Sequence, residues 1–258
     1  MGELVAGQPA LRIETAVSLP LDLVSVLSLL YRAVPGSDLD PWLIEARGRL
    51  PESVRADLDL LHGFSGRLLY YPEEPVMRFE PLRTGRLDAS FEELLAFMER
   101  LPAEAYLDLV AHALERVHAD LEMRWKLPTD EDSWVRALRP ALTTAKLDDV
   151  LALIQNPAAL KQRTIGLYQG VWDAVYAAAR ASEAPMLREA ARQGAAFGDR
   201  GFTEAYAALT GQRVPDVLDR PPPSITRVVF CPSAHLGEFV SYIAYAPDLV
   251  VFFAAPQM

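Results

Sequence analysis

Between Ile225 and Phe253 the chain reads ITRVVFCPSAHLGEFVSYIAYAPDLVVFF, whereas the residues before it are written mostly in helical period. Val, Ile, Phe and Tyr suit a pleated, half-buried surface, so this stretch predicts three strands. Pro247 and Asp248 are expected to form the last turn, because Pro presets φ at the first central position of a type I turn and Asp tolerates the second. At the other end of the chain Leu11, Ile13, Thr15 and Val17 alternate with Arg12, Glu14 and Ala16, which is strand period. An isolated strand pairing is marginal in water, so this strand is expected to join the C-terminal sheet and tie the two ends together. The fold predicted is mainly α with a small antiparallel β-sheet (α+β). It comprises a multi-helix domain over 1–211 with the N-terminal strand, a Pro-rich connector over 212–224, and a C-terminal β-meander over 225–258 packing on the helical domain.

Between the strands, prolines and caps punctuate the chain. Pro20 opens a helix to Val34, and Pro35-Gly36 stops it. Asp40 and Pro41 have the types wanted at an N-cap and the first helical position, opening a helix through Leu50. Pro51 restarts helix to His62, with Gly63 and Gly66 ending it. From Tyr70 to Asp88, Pro72, Pro75 and Pro81 predict a long loop with at most a short strand over 77–80. SFEE at 90–93 is a capping box, which opens a helix to Leu101. Pro102 begins a helix to Lys126 with Tyr106, Val110, Leu114, Val117, Leu121 and Trp125 on its apolar side. Further helices are expected over 129–139, 144–155, 157–181, 185–197 and 202–209.

Charge and cysteine usage narrow the function. A formal net charge of −10 repels phosphate backbones on average, so this chain is a poor candidate for a surface that touches nucleic acid. The single cysteine, Cys231, cannot close an internal disulfide, and the opening MGELVAGQPALRIE lacks the basic and apolar segments of a secretion signal. These features predict a cytoplasmic protein. The apolar run Leu19 to Val34, interrupted by Asp22 and Arg32, falls short of a membrane span, so no membrane partner is expected.

Several residue sets invite a chemical reading. Asp108, His112, Glu115, His118 and Glu122 share one face of a predicted helix, and Glu115-x-x-His118 has the spacing used in di-iron bundles. A second Glu-x-x-His is missing, Asp59-x-x-His62 being the nearest approach. The face lies opposite the apolar stripe, so it is predicted to be solvated, with no metal ligand and no cofactor. Cys231, in an apolar strand, is expected to be a buried, inert thiol. Ser233, His235 and Glu238 lack a nucleophile-elbow pattern, so no catalytic residue is assigned and the protein is read as a non-enzyme. Tyr168, Trp172 and Tyr176 recur every four residues beside Gly166 and Gly170. Such a face serves as plain core or lines a pocket for a hydrophobic or aromatic small ligand, and these three are the candidate ligand-binding residues.

Three segments, LRIETAVSLPLDLVSVLSLLYR, SFEELLAFMERLPAEAYLDLVAHAL and VVFCPSAHLGEFVSYIAYAPDLVVFF, together resemble the long N-terminal region of certain bacterial regulators of the arsenical-repressor (ArsR-like) winged-helix class. The likeness spans nearly the whole chain. In those proteins this region precedes a C-terminal winged helix that binds DNA. Only AAPQM follows Phe253, so no winged helix is expected in this chain, which is then either a fragment or a protein that works without that domain; the metal-binding cysteine motif of the classical members is absent. The resemblance implies the ligand-sensing or dimerising region of a transcription regulator, working as a homodimer and meeting DNA only through a winged helix. The alternative is a helical metal-dependent enzyme using His112, Glu115 and His118.

Overall fold

A computed structural model describes residues 11–65, 70–219, 222 and 224–255. Gly66, expected to end a helix, and Pro221 and Pro223 of the connector lie outside them. The chain divides into two compact units, Leu19–Ser182 and Met1–Ser18 with Glu183–Met258, and the 212–224 connector belongs inside the latter. Mainly helical structure with one small sheet is the architecture the sequence predicts.

The 19–182 unit is built from α1 (Leu19–Arg32), α2 (Pro41–Arg49), α3 (Glu52–Gly63), α4 (Tyr70–Met77), α5 (Glu80–Arg83), α6 (Phe91–Arg100), α7 (Ala103–Asp120), α8 (Glu131–Leu138), α9 (Leu147–Ile154), α10 (Pro157–Val171), a π-helical turn (Trp172–Tyr176) and the start of α11 (Ala177–Gly194). Local chemistry sets many of the starts. Asp40 accepts from the Trp42 amide at 2.8 Å with Pro41 in the first turn, and Asn156 does the same for Ala159 at 3.1 Å ahead of Pro157. Ser90 and Glu93 close the expected capping box. Asp130 and Ser133 form a second one at α8.

Two expectations for this unit are overturned. The segment 70–83 is helical, α4 and α5, rather than a loop with a short strand. Pro72 sits in the first turn of α4, where amides lack intrahelical partners, so its missing N–H is tolerated. Pro75 lies inside the helix, but burial of Tyr71, Val76 and Met77 offsets the lost bond. Helix α7 stops at Asp120 rather than Lys126. Glu122 takes the left-handed conformation (φ 54°), Met123 N–H bonds the His118 carbonyl at 2.8 Å, and Glu122 N–H bonds that of Ala119 at 3.0 Å, which is a Schellman ending. Glutamate at the left-handed position carries no compositional warning. The core holds fully buried tyrosines whose hydroxyls are all used: Tyr71 bonds Thr164 at 2.7 Å and Tyr106 donates to the Met98 carbonyl at 2.8 Å. Gly170 lets α10 approach α3 closely, since a Cβ there would lie 2.5 Å from a Val54 methyl.

The other unit carries β1 (Arg12–Thr15), the rest of α11, a 3-10 segment (Ala195–Arg200), α12 (Phe202–Thr210), α13 (Asp216–Asp219), β2 (Arg227–Ser233), β3 (Ser241–Tyr245) and β4 (Asp248–Ala254). The N-terminal strand joins the C-terminal sheet as expected, but the sheet is mixed rather than an antiparallel meander. Its order is β1-β2-β4-β3, with β1 and β4 both parallel to β2 and only β3 antiparallel to β4. The apolar runs explain the order. VVFC in β2 and LVVFF in β4 are buried at successive positions, which suits central strands covered on both faces, whereas β3 buries only Ile243. Asp248 begins β4 instead of completing the turn, and its carboxylate holds Arg227 at 2.6 and 2.9 Å. Val228, Phe230, Leu249, Val251 and Phe253 pack with Phe202, Ala205 and Tyr206 of α12. Helix α11 also runs through Pro185, where the sequence predicts a break, and Leu187 and Ala190 beyond it are buried.

Candidate functional site

The residues that end α1, line α2 and α3, and lead into α9 border an open concavity of about 620 Å³. Its walls are Tyr31, Arg32 and Val34 from the end of α1, Arg47 from α2, Ala56, Asp59 and Leu60 from α3, and Thr144, Ala145, Lys146 and Asp149 around the start of α9. The volume falls within the range of small-molecule sites. Arg47 holds the walls together. One of its amino groups donates to the Leu30 and Tyr31 carbonyls at 2.7 and 3.1 Å, satisfying the last turn of α1, and the other meets Asp59 at 2.6 Å. The loop before α9 is pinned to α3 because the Gly63 carbonyl accepts from Thr143 N–H at 2.8 Å and from its hydroxyl at 3.0 Å. Gly63 leaves no room for a side chain there. A Cβ would stand 2.5 Å from Thr144 Oγ1 and 2.7 Å from the Ala145 nitrogen.

Behind Tyr31 lies His62, fully buried, the two rings stacked with centroids 5.2 Å apart. The Leu58 carbonyl, 2.8 Å from His62 Nδ1, accepts that nitrogen's proton. Nε2 is buried without a hydrogen-bond partner among the described residues. Burial, helped by Arg32 and Arg47, pushes the imidazole down to about 3, so it is neutral throughout the physiological range.

A second polar group lies deeper in the unit. Glu73 and Glu74, adjacent on α4, are both buried and share Arg116 of α7, at 2.7 Å from Glu73 and 3.2 Å from Glu74. Glu74 also meets His112 Nδ1 at 2.9 Å and Arg78 at 3.5 Å. The Arg116 guanidinium lies over the Tyr70 ring, 3.8 Å from its centre, and the Tyr70 hydroxyl donates to Asp120. Desolvation pushes the Glu73 carboxyl up to about 7, with the Glu74 charge adding to it against the pull of Arg116 and of Arg32. Arg32 thus lines the concavity and acts electrostatically on Glu73.

The sequence-derived candidates are dispersed. Asp108, Glu115 and Glu122 are exposed as predicted, but the two histidines of that face are covered, His118 fully and His112 in part. His118 is buried against the Ala137 carbonyl at 2.9 Å, and His112 is half-buried on Glu74, because α4 and the end of α8 cover parts of α7 that periodicity assigns to water. Among the described residues no group of three or more His, Cys, Asp or Glu is arranged to hold a metal ion. Tyr168 is buried with its hydroxyl donating to the Pro72 carbonyl, and Tyr176 is buried on Asp22 at 2.5 Å. Trp172, in the π-helical turn, is half-buried and stacked on Phe91 with centroids 4.3 Å apart. None of the three lines the concavity. Cys231 and Ser233 are both buried in β2, and His235 meets Glu183 at 2.9 Å rather than forming a triad with Ser233 and Glu238.

The concavity and the carboxylate pair both escape a sequence reading. The pair had one signal, two adjacent glutamates inside the otherwise apolar YYPEEPVM, masked by its prolines. Compared with family models, curated proteins and solved structures, the chain matches none. Among the described residues no helix is long and apolar enough to cross a membrane.

Proposed function

We propose that this chain is the ligand-sensing region of a cytoplasmic bacterial transcription regulator of the ArsR-like winged-helix class, with the sensor pocket in the 19–182 unit. The observation that carries the reading is the concavity of about 620 Å³. Four separate stretches of chain converge on it, and the bonds of Arg47 and Gly63 hold it open in a fixed shape. A pocket preorganised in this way spends little ordering entropy on capture of a small molecule. The resemblance of the three quoted segments supplies the regulatory context, in which the region works as a homodimer and a winged helix makes the DNA contact.

The test is a thermal-shift screen of the whole chain against hydrophobic, aromatic and charged small molecules. A ligand that binds only the folded state, present at a hundredfold over its Kd, adds about 2.7 kcal/mol of stability and raises the melting temperature. Hits whose effect disappears on Leu60→Glu, which puts a charge into the apolar wall, support the reading. A panel in which no compound stabilises the protein removes it. Sedimentation of the chain as a monomer at all concentrations would remove the homodimer.

A further inference from the structure

We propose that the segment from Leu121 to Leu127, between α7 and α8, is the surface on which a second copy of this chain docks, the two segments lying antiparallel about a two-fold axis. The inference rests on the homodimer proposed above and adds the face through which it forms.

Exposure is the first ground. Six large hydrophobic side chains are exposed among the described residues, and three of them, Leu121, Met123 and Leu127 at 48, 44 and 59%, fall within these seven residues. From Arg124 to Leu127 no backbone N–H or C=O bonds another backbone group among the described residues, so these groups face water and are open to pairing with a second chain. The segment is nevertheless held in one shape. It starts at the Schellman ending of α7, and Trp125 lies edge-on to His118 with ring centroids 5.2 Å apart. Beyond it Pro128 is buried, and the Thr129 and Asp130 amides both donate to Ser133 Oγ at 2.9 Å. A surface fixed in advance loses little freedom on docking.

The second ground is charge and pattern. Two copies of a chain with a net charge of −10 repel each other on average, but this segment sets Arg124 and Lys126 against Glu122 alone. None of the three forms an ion pair with a described residue, and Lys126 is the smallest of the influences on the Asp130 carboxyl. The order Leu-Glu-Met-Arg-Trp-Lys-Leu complements its own reverse. A two-fold axis through Arg124 sets Leu121 of one copy opposite Leu127 of the other, Met123 opposite Trp125 and Glu122 opposite Lys126, and symmetry makes each contact twice. Apolar meets apolar and acid meets base with no other partner sequence required. The two Arg124 side chains form the one like pair; they are long and exposed, and point apart into water, where salt screens them. Seven residues a side make a small interface, which places the affinity in the roughly micromolar range.

The experiment is sedimentation equilibrium of the whole chain across a range of concentrations, at low and at high salt. Wild type should dimerise with a Kd of roughly 1–100 μM. Leu127→Ser, which removes apolar contact on both sides of the axis, should weaken the dimer about tenfold at either salt. Glu122→Lys and Lys126→Glu each place two like pairs across the axis, so each should weaken it about tenfold at low salt and less at high salt. Combining Glu122→Lys with Lys126→Glu exchanges the two charges and should restore the wild-type affinity. Melting of every variant, measured below the Kd where all are monomers, should match wild type, because the three side chains are exposed. A dimer that none of these variants weakens, or a double variant as weak as the single ones, overturns this face while the homodimer stands. A wild type that is monomeric at every concentration overturns both, and the segment then belongs to an unlike partner.

Discussion

Glu73→Gln is the perturbation with the sharpest quantitative consequence. Glu73 and Glu74 share Arg116 in a buried setting, and desolvation raises the Glu73 carboxyl from its ordinary 4.5 to about 7. Between those values the unfolded chain has released a proton that the folded chain still holds. The stabilising contribution of protonated Glu73 is thus complete below pH 4.5, declines as pH rises, and is gone once pH passes about 7. With each tenfold change in proton affinity worth about 1.4 kcal/mol, the loss across that window is about 3 kcal/mol. His62 works in the opposite sense. Its imidazole is pushed from 6.5 down to about 3, so its contribution is present above pH 6.5 and is lost as pH falls toward 3. The wild-type profile mixes both slopes, and the difference between wild type and Glu73→Gln isolates the carboxyl. Urea unfolding of both proteins from pH 4.5 to 8 should show wild type losing about 3 kcal/mol relative to the variant. A difference that stays constant across the range would refute the reasoning. Glu73 would then be ionised throughout and held as an ordinary partner of Arg116.

Other consequences follow from single contacts. Trp172→Phe keeps a ring on Phe91 and should cost about 1 kcal/mol by thermal melting, with the stabilisation by compounds from the thermal-shift screen unchanged. A loss of binding in a protein that still folds would return Trp172 to the ligand site. Asp248→Ala removes the two-point partner of Arg227, whose side chain is about nine-tenths buried, and leaves Glu14 at 3.7 Å, so it should cost about 1–3 kcal/mol. Chemical unfolding that moves by under about 1 kcal/mol would mean the guanidinium reaches water instead. The 258-residue chain alone should give no shift of duplex DNA at physiological salt, given its net charge of −10, and tight salt-sensitive retardation would contradict this.

What the sequence revealed, it revealed through local chemistry. Ser90 with Glu93 and Asp40 with Pro41 act within one turn, so their roles can be read from spacing. The strands at both chain ends were legible from alternation and from β-branched and aromatic density. Sheet order was not, because placing β4 between β2 and β3 depends on which run is covered on both faces. Prolines misled at α4, where burial of Tyr71 and its neighbours overrides a local penalty. Helical period identified the face of His112 and His118 but could not tell that other elements lie over those two residues. The same limit applies to Tyr168 and Tyr176, whose hydroxyl partners, Pro72 and Asp22, lie far away in sequence. The pocket gathers residues from Tyr31 to Asp149, with no spacing pattern to announce it.

The most direct measurement of the central claim is amide chemical-shift mapping of the isotopically labelled chain during titration with a compound that stabilises it in the thermal-shift screen. Perturbations should centre on Val34, Leu60, Ala145 and Lys146, saturate together, and leave Tyr168, Trp172 and Tyr176 in place. Shifts centred on Trp172, or none at a concentration that saturates the thermal stabilisation, would contradict the assignment of this concavity as the site where a ligand is read.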